Sequence, residues 1–91
     1  MKLKEIETYH KNGKLHQHYY TNENHQWEWG FLSYWNDGQL FCRCYWKNNK
    51  LHGEFLRYHK TGQLQIKCYY DNDNKISKEQ WLMKKIKRII K

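Results

Sequence analysis

Between residue 15 and residue 70 apolar and polar side chains alternate with period two, the pattern of β-strands with unlike faces. Leu40, Cys42, Cys44 and Trp46 fall on one side of one such strand, with Arg43 and Tyr45 on the other. Further on, Leu64, Ile66, Cys68 and Tyr70 oppose Gln65, Lys67 and Tyr69. Earlier, Leu15, Gln17 and Tyr19 oppose His16, His18 and Tyr20. Trp27, Trp29, Phe31 and Trp35 are expected to share one face of a longer strand around residues 26–36. Turn residues separate these runs. Asn12-Gly13, Asp37-Gly38 and Thr61-Gly62 suit tight turns because Gly adopts positive φ without strain. Residues 22–24, Asn48-Asn49 and residues 72–74 serve the same purpose through Asn and Asp. After residue 76 the period becomes helical. Ser77-Lys78-Glu79-Gln80 is a capping box, and Leu82, Ile86, Ile89 and Ile90 follow as one apolar stripe. The pattern predicts a mostly β fold, an antiparallel meander of about six strands over residues 9–76, with a C-terminal helix that caps the final hairpin through Trp81, Leu82, Ile86 and Ile89. The sheet is assigned to residues 1–76 and a basic amphipathic helix to residues 77–91.

The units of this meander repeat. Tyr9-His-Lys-Asn-Gly13-Lys-Leu15, Tyr34-Trp-Asn-Asp-Gly38-Gln-Leu40 and Tyr58-His-Lys-Thr-Gly62-Gln-Leu64 align at a spacing of 24–25 residues. Each runs on to an aromatic pair, Tyr19-Tyr20, Tyr45-Trp46 and Tyr69-Tyr70. Half-period copies lie between them, the clearest being Trp46-Lys-Asn-Asn49-Lys50-Leu51-His52-Gly53.

Composition sharpens this picture. In a chain of 91 residues, five Trp, eight Tyr and three Phe carry much of the apolar content, and Ala, Val and Pro are absent. Large rings let a thin structure bury useful area with few residues, and the lack of Ala argues against a helical bundle. The net charge is +8. Residues 75–91, with seven basic and one acidic side chain, supply six of those charges. No apolar run reaches membrane-spanning length and no leader is visible at the N-terminus. Three cysteines without an export signal suit a reducing compartment, so a cytoplasmic location is expected.

The repeated units resemble MORN repeats, in particular the short variant written roughly Y-x-x-G-K-L-H-G-E-[YF]. Asn49-Lys50-Leu51-His52-Gly53-Glu54-Phe55 matches most fully, and Tyr9…Gly13-Lys14-Leu15-His16 matches the first half. Trp35-Asn-Asp-Gly38-Gln39-Leu40 and Tyr58…Gly62-Gln63-Leu64 keep the aromatic, the Gly and the Leu. The resemblance implies an elongated, twisted sheet of hairpins acting as a non-enzymatic binding or scaffold module. It also implies settings in which the short variant occurs: structural or accessory proteins of large viruses, and immunity proteins that bind a toxin.

The remaining chemistry points the same way. Cys42 and Cys44 with a distant Cys68 make a poor zinc set, and buried thiols acting as small apolar side chains account for them. His10, His16, His52 and His59 recur at strand ends without a nucleophile beside them, so no catalytic residue, metal or other cofactor is assigned. Trp27, Trp29, Trp35, Trp46, Tyr45 and Tyr69 are the candidate partner-binding aromatics. Lys84, Lys85, Lys87, Arg88 and Lys91 are candidate contacts for anionic nucleic acid or lipid. The expected partner is another protein, with an anionic surface as the alternative; self-association is a further possibility for an open sheet.

Overall fold

The computed structural model describes residues 2–89, with the side chains of residues 87–89 excepted. Among the described residues eight strands follow one another: β1 Lys4–Tyr9, β2 Leu15–Thr21, β3 Trp29–Tyr34, β4 Leu40–Lys47, β5 Lys50–Leu51, β6 Gly53–Tyr58, β7 Leu64–Asp71 and β8 Asn74–Ile76. A helix, α1, then covers Lys78–Ile89. The strands form one open antiparallel sheet in the order β1-β2-β3-β4-β6-β7-β8, with β5 pairing beside β4. No helix interrupts residues 9–70.

The strand count exceeds the expected six for two reasons. Lys4–Tyr9 pairs with β2 upstream of the first repeat, with Ile6 opposite Tyr19 and Glu7 opposite His18. The strand leaving Asn48-Asn49 is also broken into β5 and β6. Its break lies at His52, whose N–H donates to the Tyr45 carbonyl at 2.9 Å, and at Gly53, where φ is +116°.

All six turns fall where the turn residues place them. Gly13, Gly38 and Gly62 have φ of 86°, 95° and 95°. In each of these turns the Gly N–H donates back three residues, to the carbonyl of His10, Trp35 or His59. Asn48, Asn49, Asn72 and Asp73 all have positive φ, the two-residue turn that matches the right-handed twist of a hairpin.

The hairpins are stitched together at both ends of the strands. At one end His10 Nε2 lies 2.9 Å from the Tyr34 carbonyl, and Asn12 Nδ2 donates to the Asn36 carbonyl at 2.7 Å. At the other end the Asn49 N–H donates to the Trp27 carbonyl, and the Asp73 N–H donates to Leu51 in the same way. Their side-chain oxygens accept the N–H of those same two residues in return. Between these stitches the joins are short. β2 meets β3 only at Gln17–Ser33 and His18–Leu32, and β4 meets β6 at Cys42–Arg57 and Arg43–Leu56.

The molecule measures 48 × 34 × 19 Å, thin in one direction. Its core is correspondingly small. Phe31, Cys42 and Cys44 are buried, with Tyr19, Trp27, Phe41, Trp46, Leu51 and Phe55 packed around them. Trp27 stacks on Phe31 at 5.1 Å and meets Trp46 edge to face at 4.9 Å, geometries that the ring quadrupole favours. The three cysteines are free and buried, as apolar members of this layer.

One face assignment is corrected. Trp27 and Phe31 share the core face as expected, but Trp29 does not. Its φ of 68° reverses the direction of its side chain, and its ring packs on Tyr20 at 5.4 Å, on the opposite face.

The capping box at the start of α1 forms in both directions. The Gln80 N–H donates to Ser77 Oγ at 3.1 Å, and the Ser77 N–H donates to Gln80 Oε1 at 2.9 Å. Docking of the helix departs from the expectation along the aliphatic stripe. Leu82 and Ile86 of the anticipated stripe remain 44% and 46% exposed, Ile89 lies outside the described side chains, and Ile90 outside the described residues. Trp81, the first of the expected contacts, docks. Its ring stacks on Tyr69 at 6.2 Å and meets His52 edge-on at 5.8 Å. One flat ring with a satisfied first turn anchors the helix, and Leu82 and Ile86 are left largely exposed.

Candidate functional site: an aromatic cleft between helix and sheet

Docking on Trp81 leaves a cleft of about 800 Å³ between α1 and the sheet face opposite the core. Tyr45 and Tyr69 rise from the floor, and Gly53 lies between them. A Cβ on Gly53 would meet the Tyr45 ring at 3.6 Å and the Trp81 ring at 3.7 Å. These are ordinary contact distances, so it is the φ of +116° at the strand break that favours glycine here. Trp81, Leu82 and Lys85 form the helical wall, while Trp29, Glu28 and Leu3 line the far side. Trp29 is 58% exposed.

Trp29 stands 24 residues before Gly53, at the same place in the repeat, and it keeps the positive φ of that place. A large ring in the left-handed region is uncommon and strained. Such strain persists only where the surroundings over-determine it, and it concentrates at functional positions. Here the consequence is concrete: the ring is turned out of the core and into the cleft.

The charged groups around the cleft are engaged by neighbours. Glu54 pairs with Arg43 at 3.0 Å. Glu28 Oε2 accepts the Asn48 N–H and the Asn22 amide, both at 3.1 Å, which braces the turns beneath the wall. Lys85 Nζ lies over the Trp81 ring at 5.4 Å, within cation–π range. Lys84 donates to Asp71, and His52 Nδ1 lies 3.4 Å from the same carboxylate. The Lys84 ammonium, with a smaller contribution from His52, holds the Asp71 carboxyl below its ordinary value. On the core face, the Cys42 thiol beside it and burial push the Cys44 thiol up, so it stays protonated.

The candidate residues thus separate. Trp29, Tyr45 and Tyr69 meet at the cleft, together with Lys85. Trp46 borders it, but its ring packs in the core against Trp27. Trp35 packs on Phe41 at 4.4 Å at the turn end of the sheet. Lys84 is tied to Asp71, the side chains of Lys87 and Arg88 lie outside the described set, and Lys91 lies outside the described residues. Gly53 was not among the sequence candidates, and Trp81 was expected as a capping contact rather than a binding residue. The signal for Gly53 was its place after Leu51-His52, and for Trp81 its place in the first turn after the capping box. Among the described residues no cluster of three or more His, Cys, Asp or Glu is arranged to hold a metal ion.

Two features of the cleft, Gly53 and the strand break at His52, lie in one repeat unit. Residues 51–72 match the family model of the MORN repeat variant. The match runs from Leu51 through β6, the Thr61-Gly62 turn and β7 to Asn72, and it supports the resemblance seen in the repeated motifs. The MORN repeat is a non-catalytic unit used in protein and membrane interaction. No curated protein and no solved structure matches the chain.

Proposed function

We propose that this MORN-like chain is a non-enzymatic interaction module that takes an apolar segment of a partner protein into the cleft between α1 and the sheet. The observation that carries this reading is Trp29: an exposed ring, held in a strained backbone conformation, facing an apolar floor of tyrosines. Aromatic side chains at the centre of a concave, apolar surface are the usual anchors of protein association. Glu28 and Glu54 are occupied by hydrogen bonds and an ion pair, which suits a binding surface better than general acid or base work. A virion component and a toxin are both partners of this chemistry, with the chain as an accessory or an immunity protein respectively. Gene neighbourhood separates the two.

The alternative, an anionic nucleic acid or lipid held by the basic helix, is weaker. Lys84 and Lys85 are already engaged within the molecule, so this reading rests on Lys87, Arg88 and Lys91.

The deciding experiment is affinity purification from the native source with wild-type and Trp29→Gly baits. A protein retained by the wild type and lost on the variant identifies the partner. Identical retention by both baits would remove the cleft from the account.

A further inference from the structure

We propose that the chain joins head to tail with a second copy of itself, the open edge of β7 in one molecule pairing antiparallel with β1 of the next. The starting point is where α1 begins. β8 pairs with β7 through Tyr70–Lys75 and Asp71–Asn74, one repeat on from the Trp46–Leu51 and Lys47–Lys50 pairs of β4 and β5. β8 is therefore the opening of a fourth unit. In the third unit the chain runs on from β5 into β6 and pairs along β4. After β8 it turns at Ser77 into the helix. Among the described residues, the outer edge of β7 is paired only at residues 69–71, and Leu64 to Lys67 are left without a neighbour strand. At the other end of the sheet, among the described residues, β1 has β2 on one side only.

The two edges are complementary because they are two ends of one repeating series. The internal joins pair Gln17 with Ser33 and Cys42 with Arg57. Counting on by one unit pairs Ile66 with Thr8 of the next copy, and Lys67 with its Glu7. The exposures agree with that reading. Tyr9 is 59% exposed, whereas its equivalents Tyr34 and Tyr58 are half-buried under the preceding hairpin. Leu64 is 50% exposed, whereas Leu15 and Leu40 are half-buried under the following one. His10 is half-buried where it reaches the Tyr34 carbonyl. His59, at the same place in the last hairpin, is exposed, and in the joined pair it meets the Tyr9 carbonyl of the next copy.

Charge fixes the polarity. Glu7 on one edge and Lys67 on the other oppose each other in the head-to-tail join. Pairing two β1 edges or two β7 edges lacks that match, and like charges directly opposed are destabilising. A join of unlike surfaces leaves one edge of each kind open after two copies meet, so the product grows with concentration rather than stopping at a dimer.

The experiment is sedimentation of the full chain over a concentration series, with Lys67→Glu and Glu7→Lys as separate variants and as an equimolar mixture. Wild type should gain average mass as concentration rises. Each single variant opposes like charges across the join, and its association constant should fall by about tenfold. In the mixture the new carboxylate of one variant faces the new ammonium of the other, so association between unlike molecules should recover. Should either variant unfold by circular dichroism, His59→Ala, changed only at an exposed turn, takes its place and should also weaken association. Wild type that stays monomeric throughout would overturn the proposal. So would association that ignores these substitutions, or a mixture that recovers nothing.

Discussion

At the scale of single residues the molecule turns on where positive φ is placed and which side chain occupies it. Gly38 has φ of 95° with open space where its Cβ would be, so a substitution there tests the backbone alone. Gly38→Val should cost about 1–3 kcal/mol, read as a lower midpoint in chemical denaturation. Unchanged stability would mean that the turn relaxes freely. Trp29 is the converse case, a ring at a position whose repeat equivalent is Gly53. Trp29→Gly relieves strain but gives up the contact with Tyr20 and adds chain entropy to the unfolded state. These effects offset, and stability should stay within about 1 kcal/mol of wild type while partner binding is lost. Trp27→Ala empties the core and should cost about 3 kcal/mol. The two tryptophans stand two residues apart in an alternating run, and the sequence pattern set them on one face. Alternation describes a strand whose φ stays negative, and nothing in the side-chain pattern marks the one residue that departs from it.

At the scale of elements, hairpins and the helix start were legible because both are local. Six turns and one capping box are specified by two to four adjacent residues each, and all seven formed as read. The docking of α1 was legible only in part. Trp81, Leu82, Ile86 and Ile89 were all expected to dock, yet the helix is held by Trp81 and by the Lys84–Asp71 pair, while Leu82 and Ile86 stay largely exposed. Which of two apolar surfaces a helix presents depends on what the sheet offers, and this sheet offers the rings of Tyr69 and His52. The tie to Asp71 gives the docking a pH dependence. Lys84 lowers the Asp71 carboxyl below 3.8. The stabilisation is therefore complete above that value and is lost as pH falls through the lower folded-state value. Near-UV circular dichroism from the Tyr69–Trp81 stack should diminish in that acidic range. Asp71→Asn should remove this step, and persistence of the step in that variant would assign it to another carboxylate, such as Glu5 beside His18.

At the scale of the whole molecule, stability should be graded rather than uniform. Each hairpin touches only its neighbours, and the joins between hairpins are short, so the free energy of opening depends on position along the array. Residue-resolved hydrogen exchange should find the slowest amides in β3 and β4, around Phe31 and Cys44. β1 and the Leu64 end of β7 should exchange fastest within the sheet. A single exchange rate across all strands would indicate one cooperative block instead. The cleft belongs to this scale as well. It is assembled from residues as far apart as Leu3 and Lys85, which is why the aromatic content was visible in the sequence and the cavity was not.

The Ser77–Gln80 lock also makes the width of the sheet a counted quantity. Each unit of 24–25 residues carries the same glycine turn, at Gly13, Gly38 or Gly62, and each contributes two strands, or about 9.6 Å of sheet. Duplicating one unit ahead of the lock would move the two outer edges apart by that step and leave both of them unchanged. Such a chain could measure distance in whole increments, with the helix as the stop at the end of the scale.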